Sequence, residues 1–112
     1  MTTSTDQAKY WVAFNRISTI GRARFAILES YFGDLETAWR AGSSDLAAAG
    51  LDQRSVRAIV SRRPSISPDA EWERLEKLGI DAITVRDPAY PSLLREVYDY
   101  PPVLYVKAQY PA

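Results

Sequence analysis

At 112 residues, 46% of them hydrophobic, the chain is the size of one domain and would bury roughly two-thirds of its extended surface on folding, without a staple. It contains no Cys and no His, which removes disulfides, thiolate chemistry, imidazole acid–base catalysis and nearly all transition-metal sites. Fourteen Lys and Arg balance fourteen Asp and Glu, yet residues 1–63 carry nine basic and six acidic groups, net +3, while residues 64–112 carry five and eight, net −3. That balance argues against gripping nucleic acid by bulk charge and places any phosphate contact in the first half.

In chain order, Asp6 is placed to cap a first helix, on which Tyr10, Trp11, Phe14 and Ile17 recur at helical spacing and form one apolar stripe. After the turn STIG, Phe25, Leu28 and Phe32 repeat that spacing, and Gly33 supplies a stop. Asp34 then stands at an N-cap with Thr37 three residues on, opening a short helix with Leu35, Ala38 and Trp39 that Gly42 ends. Ser43 or Ser44 begins a fourth helix, and Asp52 caps a fifth with Val56, Ile59 and Val60 on one side. Pro64 and Pro68 disfavour helix in the residues before them, so 64–68 reads as a linker between a helical domain, 1–63, and an extension, 69–112. Asp69 to Leu78 reads as an amphipathic helix with Trp72, Leu75 and Leu78 buried, ended by Gly79. The β-branched, alternating IDAITV at 80–85 and VLYV at 103–106 read as strands. The fold class is mainly α, with a short α/β segment at the end. Too few elements follow VLYVK to return to a neighbouring parallel strand, so the chain is expected to be part of something longer, with a compact, naturally short α+β domain as the alternative.

No apolar run approaches the roughly eighteen residues that cross a bilayer, and the N-terminus lacks the basic and apolar regions of a signal peptide; the expectation is a cytoplasmic, membrane-free protein. Carboxylates are the remaining catalytic resource. Glu71, Glu73 and Glu76 interleave with Arg74 and Lys77 as on an ordinary solvated helix face, and neither a glycine-rich phosphate loop nor an acidic metal cluster is present. The chain is therefore expected to be no enzyme and to hold no metal or cofactor.

Two glycine turns are the candidates for binding. ISTIGRARFAIL at 17–28 and AAGLDQRSVRAI at 48–59 repeat one layout at an offset of 31, matching Ile20 to Leu51, Phe25 to Val56 and Leu28 to Ile59. They resemble a pair of helix-hairpin-helix motifs, whose glycines let backbone N–H groups at a helix start approach a phosphate closely. Thr19 replaces one expected glycine and Asp52 another, and a carboxylate at 52 would cap its own helix and repel a phosphate. The DNA-contact candidates are Arg16, Gly21, Arg22 and Arg24 around the first turn, with Arg54 and Arg57 three apart on the fifth helix beside Arg62 and Arg63. Both turns could instead only pack helices at a sharp angle, and the arginines could be a solvated face. Trp11, Phe14, Phe25, Phe32, Trp39 and Trp72 read as core. Tyr90, Tyr98, Tyr100, Tyr105 and Tyr110 interleave with prolines as either a stacking platform or turn packing.

Residues 80–107 carry the most specific pattern: a strand, D-P-x-Y-P, x-x-L-L, a short helix and P-P-V-L-Y-V-K. This resembles the segment leading into the Rossmann-like core of DNA-processing protein A, the DprA/Smf family, and Trp11, Ile17, Ile20 and Gly21 match that family's opening W-x-x-x-x-x-I-x-x-I-G. The resemblance implies a helical SAM-like or helix-hairpin-helix domain followed by the start of a Rossmann-like domain. It also implies a non-catalytic accessory module of a single-stranded DNA-binding protein that acts in natural transformation and loads a RecA-type recombinase. In the family, the Rossmann-like domain supplies the main DNA pocket and much of the homodimer contact, and Ala108 here stands at the place of a family glycine. The alternative is a protein-interaction or self-association module with no DNA contact of its own.

Overall fold

The computed structural model describes residues 5–107; Ala108 and Tyr110 lie outside the described residues. The helices are α1 (Thr5–Asn15), α2 (Arg22–Phe32), α3 (Leu35–Arg40), α4 (Ser43–Ala48), α5 (Gln53–Arg62) and α6 (Pro68–Lys77), and the strands are β1 (Ile80–Thr84) and β2 (Val103–Lys107). The expected mainly α class, with five helices before residue 64 and a helix and two strands after it, is the one observed.

Local chemistry explains most boundaries. Asp34 accepts from the Thr37 N–H at 2.8 Å and starts α3; Asp52 accepts from the Ser55 N–H at 3.2 Å and starts α5. Gly33 ends α2 at φ 88°, a left-handed conformation that a side chain resists. Two expected caps differ. Helix α1 begins at Thr5, so Asp6 lies inside its first turn and faces the positive end of the helix dipole. Gly42, at φ −77°, is the N-cap of α4, and α3 already ends at Arg40, with Ala41 as its C-cap. Ser67 caps α6 by accepting from the Ala70 N–H at 3.2 Å, with Pro68 at a first-turn position where its missing N–H costs nothing.

The core is centred on α1. Trp11 stacks on Phe25 at 5.2 Å, and Phe14 meets Phe25 and Trp39 edge-on at 6.1 and 4.9 Å. Phe14, Leu28, Leu35, Leu46 and Ile59 are fully buried, each side chain contributing about 1.5–3 kcal/mol of transfer free energy. Helix α1 packs on α3 with one side and on α6, β1 and β2 with others, and Ile66 and Val103 join the same core. The two strands pair antiparallel, Ile80 opposite Lys107 and Thr84 opposite Val103, a pairing that requires no crossover.

Four apolar positions lie elsewhere than their spacing suggests. Val60 is 39% exposed at the outer edge of α5. Trp72 and Leu75 are only partly buried, and Leu78 is 58% exposed just past the end of α6. Helix α6 packs on α1 and β1, and its apolar stripe is wider than the surface they cover.

Candidate nucleic-acid interface

The two glycine turns form as helix–turn–helix units, α1 to α2 and α4 to α5. Gly21 is the N-cap of α2 at φ −106° and ψ −164°, and no side chain caps that helix. Its peptide conformation suits any residue, and a Cβ built there meets nothing within 4 Å. Nothing in the chain itself therefore requires glycine at this helix start, which leaves an uncapped, positively polarised end open to a close-approaching anion.

The second turn is closed in the way its Asp predicts. Asp52 accepts from the Ser55 hydroxyl at 2.6 Å as well as from the Ser55 N–H, and from Arg24 Nε at 3.0 Å. The Ser55 hydroxyl first, and Arg24 second, hold the Asp52 carboxyl at about 2, below its ordinary 3.8. Arg24 also donates to the Thr19 carbonyl at 3.3 Å, so it ties one turn to the other.

The remaining arginines divide by what they touch. Arg16 pairs with Glu71 on α6 at 3.3 Å. Arg63 donates to the Trp39 carbonyl at 2.9 Å and to the Ala41 carbonyl, closing the end of α3, so this member of the basic cluster is structural. Arg54 and Arg57 are exposed and form no ion pair among the described residues. They line a shallow depression with Thr19, Ser43, Val56 and Val60, which joins α5 to the first turn. Two free guanidiniums beside an apolar, uncharged surface suit the charged backbone of a strand.

Arg22 lies differently. Its guanidinium carbon is 5.4 Å from the centroids of both Tyr98 and Tyr100, and its Nε is buried without a hydrogen-bond partner. Arg86 and Arg95 come from the acidic half and line the same cleft as Arg22. Sequence reasoning passed over both because it weighed charge by half of the chain. Of the tyrosines, Tyr90 is buried and donates its hydroxyl to the Pro101 carbonyl at 2.7 Å, with burial pushing its phenol up; Tyr98 is 87% exposed. Tyr105 accepts from Asn15 Nδ2 at 3.1 Å, which fixes it on α1.

Among the described residues, no group of three or more His, Cys, Asp or Glu is placed to hold a metal ion, and no helix is long and apolar enough to cross a membrane. Over 103 residues the chain is 31% identical to Protein Smf of Synechocystis, a match covering 91% of this chain and 26% of that protein. The chain thus spans about a quarter of the length of the curated relative it matches. No family model matches the chain, and no solved structure matches it.

Proposed function

We infer that this chain, a relative of the DprA/Smf family, is a non-catalytic accessory module of a single-stranded DNA-binding protein that processes incoming DNA in natural transformation and assists loading of a RecA-type recombinase. The reading divides the chain at 64–68 into a helical domain and an extension that begins a Rossmann-like domain. That second domain would carry the principal DNA pocket and the homodimer contact. The observation that carries the DNA role of the residues present is the state of Arg54 and Arg57, two exposed guanidiniums without ion-pair partners among the described residues. They share a surface with Thr19 of the first turn, whose Gly21 leaves α2 uncapped. Arg16 and Arg24 hold the elements around that surface through their ion pairs with Glu71 and Asp52.

Binding to a labelled oligothymidylate, titrated with salt, tests this. Each neutralised phosphate of a single strand contributes a log–log salt slope of about −0.7, so the Arg54→Gln, Arg57→Gln double variant is expected to make the slope shallower by about 1.4. Absence of binding by the unaltered chain even at low salt removes the DNA role from these residues.

A second reading, a protein-interaction or self-association module, draws on the apolar exposure of Leu78, Leu93, Val97 and Val106. Sedimentation velocity across a concentration series distinguishes it, since a monomer at every concentration that also captures no recombinase would sink that reading.

A further inference from the structure

A cleft of about 260 Å³ separates α2 from the segment joining β1 to β2. Its lining combines apolar Phe25 and Val85 with Arg22, Glu29, Arg86 and Arg95, three guanidiniums against one carboxylate. The carboxylate is already spent. Glu29 is clamped by Arg86, whose Nε lies 3.0 and 2.9 Å from its two oxygens and whose Nη2 donates to the same group. Arg95 is anchored by neutral acceptors, the carbonyls of Val85 at 2.7 Å and Asp87 at 3.1 Å, which orient it without cancelling its charge. Arg22 has no anionic partner among the described residues. Two uncompensated positive charges therefore face one concave site, held in place by neutral contacts.

Rings and guanidiniums alternate around the cleft: Tyr100 lines it, while Tyr90 and Tyr98 lie beside it against Arg95 and Arg22. Arg95 lies 5.2 Å from the Tyr90 centroid, Tyr90 meets Tyr100 edge-on at 6.5 Å, and Arg22 lies between Tyr100 and Tyr98. Tyr98 closes the series with its ring 87% exposed. A large aromatic surface this open, backed by a cation, suits a planar π-system better than solvent. A bare inorganic anion would use the arginines and leave the ring idle.

We propose that this cleft, together with the Tyr98 ring that Arg22 backs at its side, binds one nucleotide unit, its phosphate against Arg22 and Arg95 and its unstacked base on Tyr98. The ligand is either a residue of a single strand or a free mononucleotide; the first source rests on the DNA-binding reading above, whereas the cleft itself does not.

The test is an NMR titration of the full 15N-labelled chain with a 5′-phosphorylated thymidine trinucleotide, with thymidine monophosphate and with inorganic phosphate. Shifts are expected at Arg22, Tyr98 and Tyr100. Tyr98→Ala should weaken the trinucleotide about 5- to 100-fold and Tyr98→Phe should restore it, because base–aromatic stacking needs the ring and not the hydroxyl. Tyr98 is exposed enough for these variants to fold, and Arg22→Gln should weaken all three ligands. Shifts confined to Arg54 and Arg57 overturn the cleft and leave the DNA reading standing. Equal affinity for phosphate and trinucleotide, with Tyr98→Ala silent, overturns the nucleotide assignment. Monophosphate binding as tight as the trinucleotide supports the cleft and assigns it a free nucleotide, against the DNA reading. No shift at Arg22, Tyr98 or Tyr100 with any ligand overturns the proposal, whatever happens on α5.

Discussion

The helical half and the C-terminal half of this chain bury their side chains to different degrees. Phe14, Leu28, Leu35, Leu46 and Ile59 lie fully inside the first, whereas α6 buries no residue completely and Leu78, Leu93, Val97, Tyr98, Tyr105 and Val106 stand exposed in the second. The first half supplies most of the core, which Ile66 and Val103 of the second half complete. The second leans on α1, through Lys9 to Asp69 at 2.7 Å, Arg16 to Glu71 and Asn15 to Tyr105. Exposed ion pairs of this kind contribute little to stability, so the attachment depends mainly on Ile66, Val103 and the partly buried Trp72 and Leu75. A region with few buried contacts can shift or accept a ligand at small cost, and the Arg22 cleft lies at the boundary between the halves.

The sharpest way to break this contrast is to cut the core on each side. Phe14→Ala should destabilise the chain by about 3–5 kcal/mol in urea unfolding, since its ring meets both Phe25 and Trp39. Trp72→Ala should cost only about 1–2 kcal/mol, because the side chain is only partly buried. Equal losses would show that the second half is as well supported as the first.

A smaller effect is expected at Gly33. Gly33→Ala forces a side chain into φ 88° without meeting any atom, so the cost is conformational alone, about 1 kcal/mol by thermal denaturation.

Acid should act on the first half through Asp52. Its folded value, about 2, lies below the ordinary 3.8, so its stabilisation is complete above the unfolded value and is lost as pH falls through the folded one. Melting temperature is expected to decline between about pH 4 and pH 2, and Asp52→Asn should flatten that decline. The effect is modest, because the carboxylate is about half exposed and solvent screens its pairing with Arg24.

Smallest for stability is Gly21→Ala, expected to leave the melting temperature unchanged because the added methyl meets nothing and φ is −106°. If Gly21 serves phosphate approach, the same variant weakens oligonucleotide binding. Unchanged binding would assign the turn to helix packing alone.

Much of the fold was legible because its signals are local. Asp34 and Asp52 were recognisable as caps, Gly33 as a stop, and IDAITV and VLYV as strands to within a residue at one end, since each needs only its own neighbours. The likeness to DprA/Smf was legible from DPAYP and PPVLYVK, and the relative's identity across 91% of this chain supports it. Leu78 and Val60 were misjudged because periodicity defines a stripe without saying how much of it a neighbour covers. For the candidate site, Asp52 was legible as a closed turn. Its partner Arg24, 28 residues away, was not.

By itself the sequence determined the chemistry available and the order of elements. Without Cys or His, and with carboxylates spaced along solvated faces, the functional groups left were arginines, tyrosines and two glycine turns. Only the tertiary structure decided which arginines are free. Ion pairs occupy Arg16 and Arg24, backbone carbonyls hold Arg63, and Arg22 lies with Arg86 and Arg95 although one belongs to the basic half and two to the acidic half. The physical reason is range: caps and strand propensity act over a few residues, whereas a guanidinium's partner is whatever the packing of α1 against both halves brings within about 4 Å.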